Sequence, residues 1–302
     1  MAGCGVVRFG LAAAVTLIAG ACRSEPAPTV QGPPNPTTAP SAVLAGCVVD
    51  QGSATHPGSP GGSSGGDYTI AQPGILVAAS VTSSPPFESL QGGHPVGFDI
   101  DLIAEVSRRL GLRPEIQTAS PSTILNDVAQ GRADVAISAL SIRADRRSLV
   151  DFTDPYYGAN LALTVGVGEA RGFKGLQALP GKVVGVPAGS FAESCARATL
   201  RTQPNLFSIK SFPDISIAFT DLSVGRLGAV IADVPTSDRL VQAVPGVQMV
   251  QIYKTGDAYA IAVAKSNPKL REVINRVLAD MRKDGTYALL FQKWFQVPPP
   301  SG

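Results

Sequence analysis

The sequence predicts an α/β fold in which a mostly parallel sheet carries helices on its faces. Three observations support this. From Ile75 to the C-terminus, apolar runs of strand length alternate with amphipathic runs of helix length. The joints between them are rich in Gly, Pro, Asp and Ser. The chain has 302 residues, 44% of them hydrophobic, enough for one large domain or two of ordinary size.

Ile75 to Ala79 (ILVAA) reads as a buried strand, followed by the loop SVTSSPPF and the turn GGHPVG. Asp99-Ile100-Asp101 opens a helix whose Leu102, Ile103, Val106 and Leu110 form an apolar stripe closed by Gly111. A strand at Pro114 to Gln117, a helix around Ser122 to Gln130 and a strand at Asp134 to Ile137 follow, and Arg146 falls in the first turns of a further helix. The second half repeats the pattern. Lys182 to Val186 is a strand, PAGSFAESCARATL turns into a helix, Ile215 to Ser223 is a helix, and Gly228 to Ala232 is a strand. Thr236 to Val241 begins a helix, and Val250 to Tyr253 and Tyr259 to Ala264 read as two strands. Near the C-terminus Asn267 caps a helix with Pro268 at its first position and Leu270, Val273, Ile274, Val277, Leu278 and Met281 on one face. Asp284-Gly285 stops it, and Thr286 to Phe295 forms a last helix whose aromatic stripe reads as core.

Ahead of this region, Arg8 precedes an apolar run from Phe9 to Ala21 that is too short to span a bilayer and of the right length for an export signal, predicted as residues 1–21. The run ends in small residues before Cys22, as at a bacterial lipoprotein processing site, so Cys22 is the expected lipid attachment point. Leu44-Ala45-Gly46-Cys47 is a second match that lacks an apolar lead-in. Residues 22–66 turn to Pro, Gly, Ser and Thr and predict an extended tether reaching on the order of 35–40 Å. Cys47 and Cys195 are then left as a disulfide or as two separate thiols in an oxidising compartment.

The chain has two histidines, His56 and His94, both in Gly/Pro-rich turns, which supports neither a Ser-His-Asp triad nor a histidine metal site. GVPAGS (185–190) is neither a dinucleotide nor a phosphate loop, so no cofactor is expected. Net charge is +2 without a basic block large enough for nucleic acid. The stretch DVAISALSIRADRRSLVDFTDPYY (134–157) ends an apolar strand in Ser138 and Ser141, with Arg146 five residues on, an order that suits a carboxylate site or a solvated helix face. Gly189-Ser190 offers a second helix start. Asp233, at the end of the strand reaching Ala232, can receive an ammonium or cap the helix that follows. An arginine with helix starts on one side and an aspartate on the other is complementary to a zwitterion.

The segments PPF (85–87), GFDIDL (97–102), residues 134–157, LPGKVVGVPAGS (179–190), GRLGAVIAD (225–233) and DGTYALLFQKWF (284–295) resemble the amino-acid-binding members of the bacterial extracellular solute-binding proteins, family 3. The resemblance implies a type II periplasmic-binding-protein fold, two lobes joined by two hinge strands. The solute-binding domain is then 67–302, with lobe 1 at 67–165 and 256–302 and lobe 2 at 166–255. By the same resemblance Arg146 with Ser141 binds an α-carboxylate, Gly189 and Ser190 add backbone N–H groups, and Asp233 with Ser138 holds the α-ammonium. Where many members carry an acidic residue and a capping aromatic, this sequence has Val81 and Ser84, which leans towards a neutral polar or small apolar amino acid, of glutamine type among the family's classes. Arg143 stands within reach of the pocket, and Pro121 and Phe87 are candidate apolar walls. The implied role is that of a monomeric lipoprotein on the outer face of the cytoplasmic membrane, delivering an amino acid to an ABC transporter permease. A sensor signalling to a membrane protein is the alternative, followed by a dehydratase-like enzyme, for which Glu193 is the acidic residue at hand.

Overall fold

Alternating apolar runs and amphipathic helices assemble into two five-stranded sheets, each covered by helices. The computed structural model describes residues 68–299, so the predicted signal segment, the Cys22 anchor, the tether and Cys47 lie outside the described residues.

The first lobe begins with β1 (Ile75–Ser80), the hairpin of β2 (Ser89–Gln91) and β3 (His94–Val96), and α1 (Phe98–Arg109). It continues through β4 (Arg113–Thr118), α2 (Ile124–Ala129), β5 (Val135–Ala136), the single turn α3 (Ala144–Arg147) and β6 (Val150–Phe152). Strand β7 (Tyr157–Gly166) carries the chain into the second lobe, which holds α4 (Val167–Ala170), β8 (Val183–Pro187), α5 (Phe191–Thr202), β9 (Ser208–Phe212), α6 (Ile215–Ser223), β10 (Ala229–Asp233) and α7 (Val234–Ala243). Strand β11 (Val247–Tyr259) leads back, and β12 (Ala262–Ala264), α8 (Pro268–Lys283) and α9 (Thr286–Phe295) complete the first lobe.

The first sheet has the order β4-β1-β5-β12-β6 and the second β11-β7-β10-β8-β9. In each, three adjacent strands are parallel, one reversed strand follows them (β12 or β7), and the outer strand beyond it (β6 or β11) is antiparallel to that one and so runs with the first three. Each sheet is thus mixed by one reversed strand, with the other four running the same way, in keeping with the mostly parallel sheet that the sequence predicts. The reversed strands are β7, on which the chain crosses into the second lobe, and β12, which follows its return, and these two run against the direction of the βα units.

The predicted pair of strands at 250–253 and 259–264 is a single 13-residue β11 followed by β12. The polar stretch Lys254-Thr255-Gly256, which reads as a break, is a register shift against β7 between Tyr253 and Asp257.

Leu76, Val135, Ile137 and Val263 of the first sheet pack on Leu102, Ile103 and Val106 of α1 and on Leu270, Ile274 and Leu278 of α8. Burying each such side chain stabilises the fold by about 1.5–3 kcal/mol. In the second lobe Val184, Val186 and Ile231 pack against Phe191, Ala192 and Ala196 of α5, and Phe212, Phe219 and Leu240 cover the other face. Asn267 caps α8 by accepting the Leu270 N–H, as its position predicts. Gly97 precedes α1 with φ 145°, and a Cβ there would lie 2.0 Å from the Phe87 carbonyl oxygen. Glycine therefore allows the loop at 81–88 to lie against the start of α1, where the Phe98 and Asp99 N–H groups donate to the Pro86 and Phe87 carbonyls.

Candidate binding cleft

In both sheets the parallel strands deliver their carboxyl ends to a common cleft, where an α/β sheet exposes helix starts and loop side chains. A cavity of about 80 Å³ lies between the two sets of loops. Val81 and Ser84 reach it from the loop after β1, Ser138 and Ser141 from beyond β5, and Arg146 from α3. Across from them stand Gly189 and Ser190 from the β8–α5 turn and Asp233 from the end of β10. Phe87 is not on this wall. It is fully buried, with its ring edge-on to Tyr157 at 5.0 Å and Tyr259 at 5.4 Å, because the loop at 81–88 turns this apolar side chain into the core against α1. Pro121 does line the cavity, beside Gly189, whose φ of 70° is the left-handed backbone that glycine favours.

The Arg146 guanidinium donates to two carbonyls, Ser141 O at 3.0 Å and Gly189 O at 2.7 Å. Burial, with repulsion from Arg143, lowers it to about 10, which leaves it charged at neutral pH. A guanidinium held by carbonyls has given up hydration without meeting an opposite charge, so it favours an entering anion.

Gly189 and Ser190 do not hold their N–H groups open. Gly189 N donates to Glu193 Oε2 at 2.7 Å, and Ser190 N donates to Pro187 O at 3.3 Å. The cause is local: Ser190 Oγ accepts the Glu193 N–H while Glu193 reaches back, a variant of the Ser-x-x-Glu capping pattern legible in the sequence. The first-turn N–H groups of Phe191 and Ala192, both on the cavity wall, have no acceptor within the helix. They are the donors this helix start turns to the cleft.

Asp233 takes the N-cap position of α7, but its side chain makes no capping bond; its Oδ2 accepts from Thr236 Oγ1 at 2.8 Å. Burial lifts its carboxyl to about 7. Ser138 and Ser141 line the cavity, yet their hydroxyl protons go to carboxylates that sequence reasoning passed over. Ser138 Oγ donates to Glu88 Oε1 at 2.8 Å and accepts the Val81 N–H at 3.1 Å. Ser141 Oγ donates to Asp257 Oδ2 at 2.7 Å, and burial raises Asp257 to about 6. In the sequence Glu88 was legible only as the residue after PPF, and Asp257 carried no signal.

Three contacts join the lobes. Ser83 Oγ donates to Pro213 O at 2.9 Å, Arg143 donates to Ser194 Oγ, and Arg146 reaches Gly189 as above. Among the described residues, Arg146 and Asp233 are the two charged groups on the cavity wall, and Val81, Pro121, Phe191 and Ile215 make the rest of it largely apolar. Glu193, the one acid considered for catalysis, is tied up. Burial pushes it upward, but bonds from Ser211, Arg197 and Gly189 outweigh that and leave it below its ordinary value, an ionised structural carboxylate. Cys195, buried on α5, is disulfide-bonded to a partner outside the described residues, where Cys47 also lies.

Residues 76–297 match the family model for bacterial extracellular solute-binding proteins, family 3. The chain is 28% identical to the L-cystine-binding protein TcyJ of Escherichia coli (strain K12) over 233 residues, 75% of this chain and 84% of that one. It is also 28% identical to the lysine/arginine/ornithine-binding periplasmic protein of the same organism, over 74% of this chain and 89% of the relative. Among solved structures, an ancestral arginine-binding protein bound to arginine superposes with a TM-score of 0.69 at 36% identity, covering 74% of this chain and 98% of that one. The ancestral amino-acid-binding protein AncCDT-1, a precursor of cyclohexadienyl dehydratase, superposes with a TM-score of 0.67 at 29% identity, over 74% and 95% of the two chains.

Proposed function

The chain belongs to the bacterial extracellular solute-binding proteins, family 3, and on that premise we propose that it captures an α-amino acid with an uncharged side chain between its lobes and hands it to an ABC importer. The observation that carries this reading is the pairing across one small cavity of Arg146, charged and held by carbonyls, with Asp233, a buried carboxyl that meets no cation among the described residues. Arg146 and the Phe191 and Ala192 N–H groups receive the α-carboxylate, with Ser141 beside them. Asp233 receives the α-ammonium, with Ser138 nearby. The side chain then meets Val81, Ser84 and Pro121, none of which neutralises a charge, and this supports a neutral polar or small apolar ligand. Because Arg146 belongs to one lobe and Asp233 to the other, a zwitterion bridges them and favours closure.

The proposal includes export, a Cys22 lipid anchor and the Pro/Gly/Ser tether, which would hold the binding lobes close to a permease. The direct test is thermal melting of the purified protein against the twenty amino acids at millimolar concentration. At about a thousand times Kd, a ligand of the folded state adds about 4 kcal/mol. A clear rise with one or a few neutral amino acids supports the reading, and no rise with any of them refutes it. A rise confined to arginine, lysine or histidine would refute the side-chain assignment alone.

A further inference from the structure

Behind the cleft wall lies a buried pair of acids, Glu88 at 1% and Asp99 at 0% exposure, for which the capture of a zwitterion gives no direct use. Ser138 and Ala139, both on the cavity wall, are tied to them from the other side. Ala139 has φ 45°, a left-handed backbone that residues with a Cβ adopt only under constraint. The constraint is visible: Ala139 N donates to Asp99 Oδ2 at 2.7 Å, and the same oxygen accepts Tyr156 OH at 2.8 Å. Ser138 Oγ gives its proton to Glu88 Oε1.

The other two carboxyl oxygens, Glu88 Oε2 and Asp99 Oδ1, are buried, and no N–H or hydroxyl reaches them. The two carboxyl groups are in hydrogen-bonding contact with each other. Two carboxyls bond only when one of them carries a proton. Burial lifts both groups. Asp99 accepts two hydrogen bonds, from Ala139 N and Tyr156 OH, and Glu88 accepts one, from Ser138, so the charge is better held on Asp99 and the proton sits on Glu88. The titratable groups facing the pair are Tyr156, Tyr259 and Tyr287 from the packed strands and helix, and Asp233 from the second lobe; among the described residues no lysine or arginine pairs with either acid.

We propose that Glu88 and Asp99 are positioning residues of the binding cleft, in which one proton, carried by Glu88 and shared with ionised Asp99, holds the Ser138–Ala139 turn in its strained, cleft-lining shape. When that proton leaves to solvent, two carboxylates face each other without a counter-charge and the turn loses its support. The inference rests on the proposed function only for what the cleft is used for; the proton and the turn can be read without any ligand.

The test compares Glu88→Gln and Glu88→Ala with wild type in the full-length chain. Glutamine keeps an N–H for Asp99 and a carbonyl for Ser138 without titrating, whereas alanine keeps neither. The expected result has three parts. E88Q keeps the slow amide exchange of Ala139 while E88A speeds it at least tenfold; E88Q loses one infrared carboxylic-acid band present in wild type at neutral pH; and the melting temperature of E88Q gains on wild type as the pH rises from 6 to 9. Should E88A fail to fold, the band and the pH profile of E88Q still decide. Melting profiles of E88Q and wild type that stay parallel over this range, an unchanged acid band, or Ala139 exchanging as fast in E88Q as in E88A each overturn the proposal. The amino-acid panel separates the two ideas. A wild type that answers no amino acid while the E88Q signatures hold refutes the proposed function and leaves the shared proton standing. A wild type that answers, with E88Q and E88A answering equally well, refutes the positioning role.

Discussion

Ligand affinity should rise with pH across neutrality, and Asp233 sets the size of the effect. Burial pushes its carboxyl up to about 7, with one hydroxyl donor and, among the described residues, no cation paired with it. An ammonium needs it ionised, so below that value each pH unit costs about tenfold in affinity. Between pH 5 and pH 8 the gain is about a hundredfold, the ligand ammonium staying charged throughout.

Isothermal titration at pH 5, 6, 7 and 8, in two buffers of different ionisation heat, reads both the affinity and the protons released, about half a proton per site near pH 7. Asp233→Asn should flatten the profile and weaken binding at pH 8 by about 1.5–3 kcal/mol, roughly 10- to 150-fold. Equal affinity at pH 5 and pH 8 with no proton exchange would refute the assignment of Asp233 to the ammonium. In the unliganded protein the sign is opposite. Between 3.8, the ordinary aspartate value, and about 7, the folded state holds more protons than the unfolded one, so the Asp233 contribution to stability falls as the pH rises through that window.

Arg146→Ala should weaken amino-acid binding at least a hundredfold with an unchanged circular dichroism spectrum; binding within a few-fold of wild type would remove it from the carboxylate site. Arg143→Ala removes an inter-lobe bond to Ser194 and should enlarge the radius of gyration of the unliganded protein in small-angle scattering, an effect absent if the contact does not hold the lobes. Phe87→Ala should cost about 3–5 kcal/mol in chemical denaturation, since the ring is wholly enclosed; a variant as stable as wild type would return Phe87 to the cleft wall. Gly97→Ala places a Cβ against the Phe87 carbonyl and should lower the melting temperature by several degrees or abolish soluble protein, whereas Gly111→Ala, in open space, should cost only the left-handed backbone strain at φ 72°, about 1–2 kcal/mol.

The sequence by itself determined the elements whose signals are local. Alternating apolar runs located β1, β8 and β10, the heptad-like stripe and Asn267-Pro268 cap located α8, and the order strand–serine–arginine brought Arg146 and Ser141 to one loop. It also located Asp233 at a strand end, because a polar residue closing a four-residue apolar run has few other places to go. Tertiary structure decided what depends on a partner far along the chain. The fate of Phe87 was settled by rings at positions 98, 157, 259 and 295 that close around it. Likewise the free donors of α5 were decided by where Glu193 turned its carboxylate, and the bulge that makes β11 one strand by its pairing with β7. The buried acids Glu88, Asp99 and Asp257 read as ordinary surface carboxylates, since burial and the hydrogen-bond donors that meet them are supplied by residues about 40 to 116 positions away. Periodicity and turn chemistry act over a few residues and survive in one dimension. Desolvation and hydrogen-bond satisfaction are set by everything that surrounds an atom, and they exist only once the chain has folded.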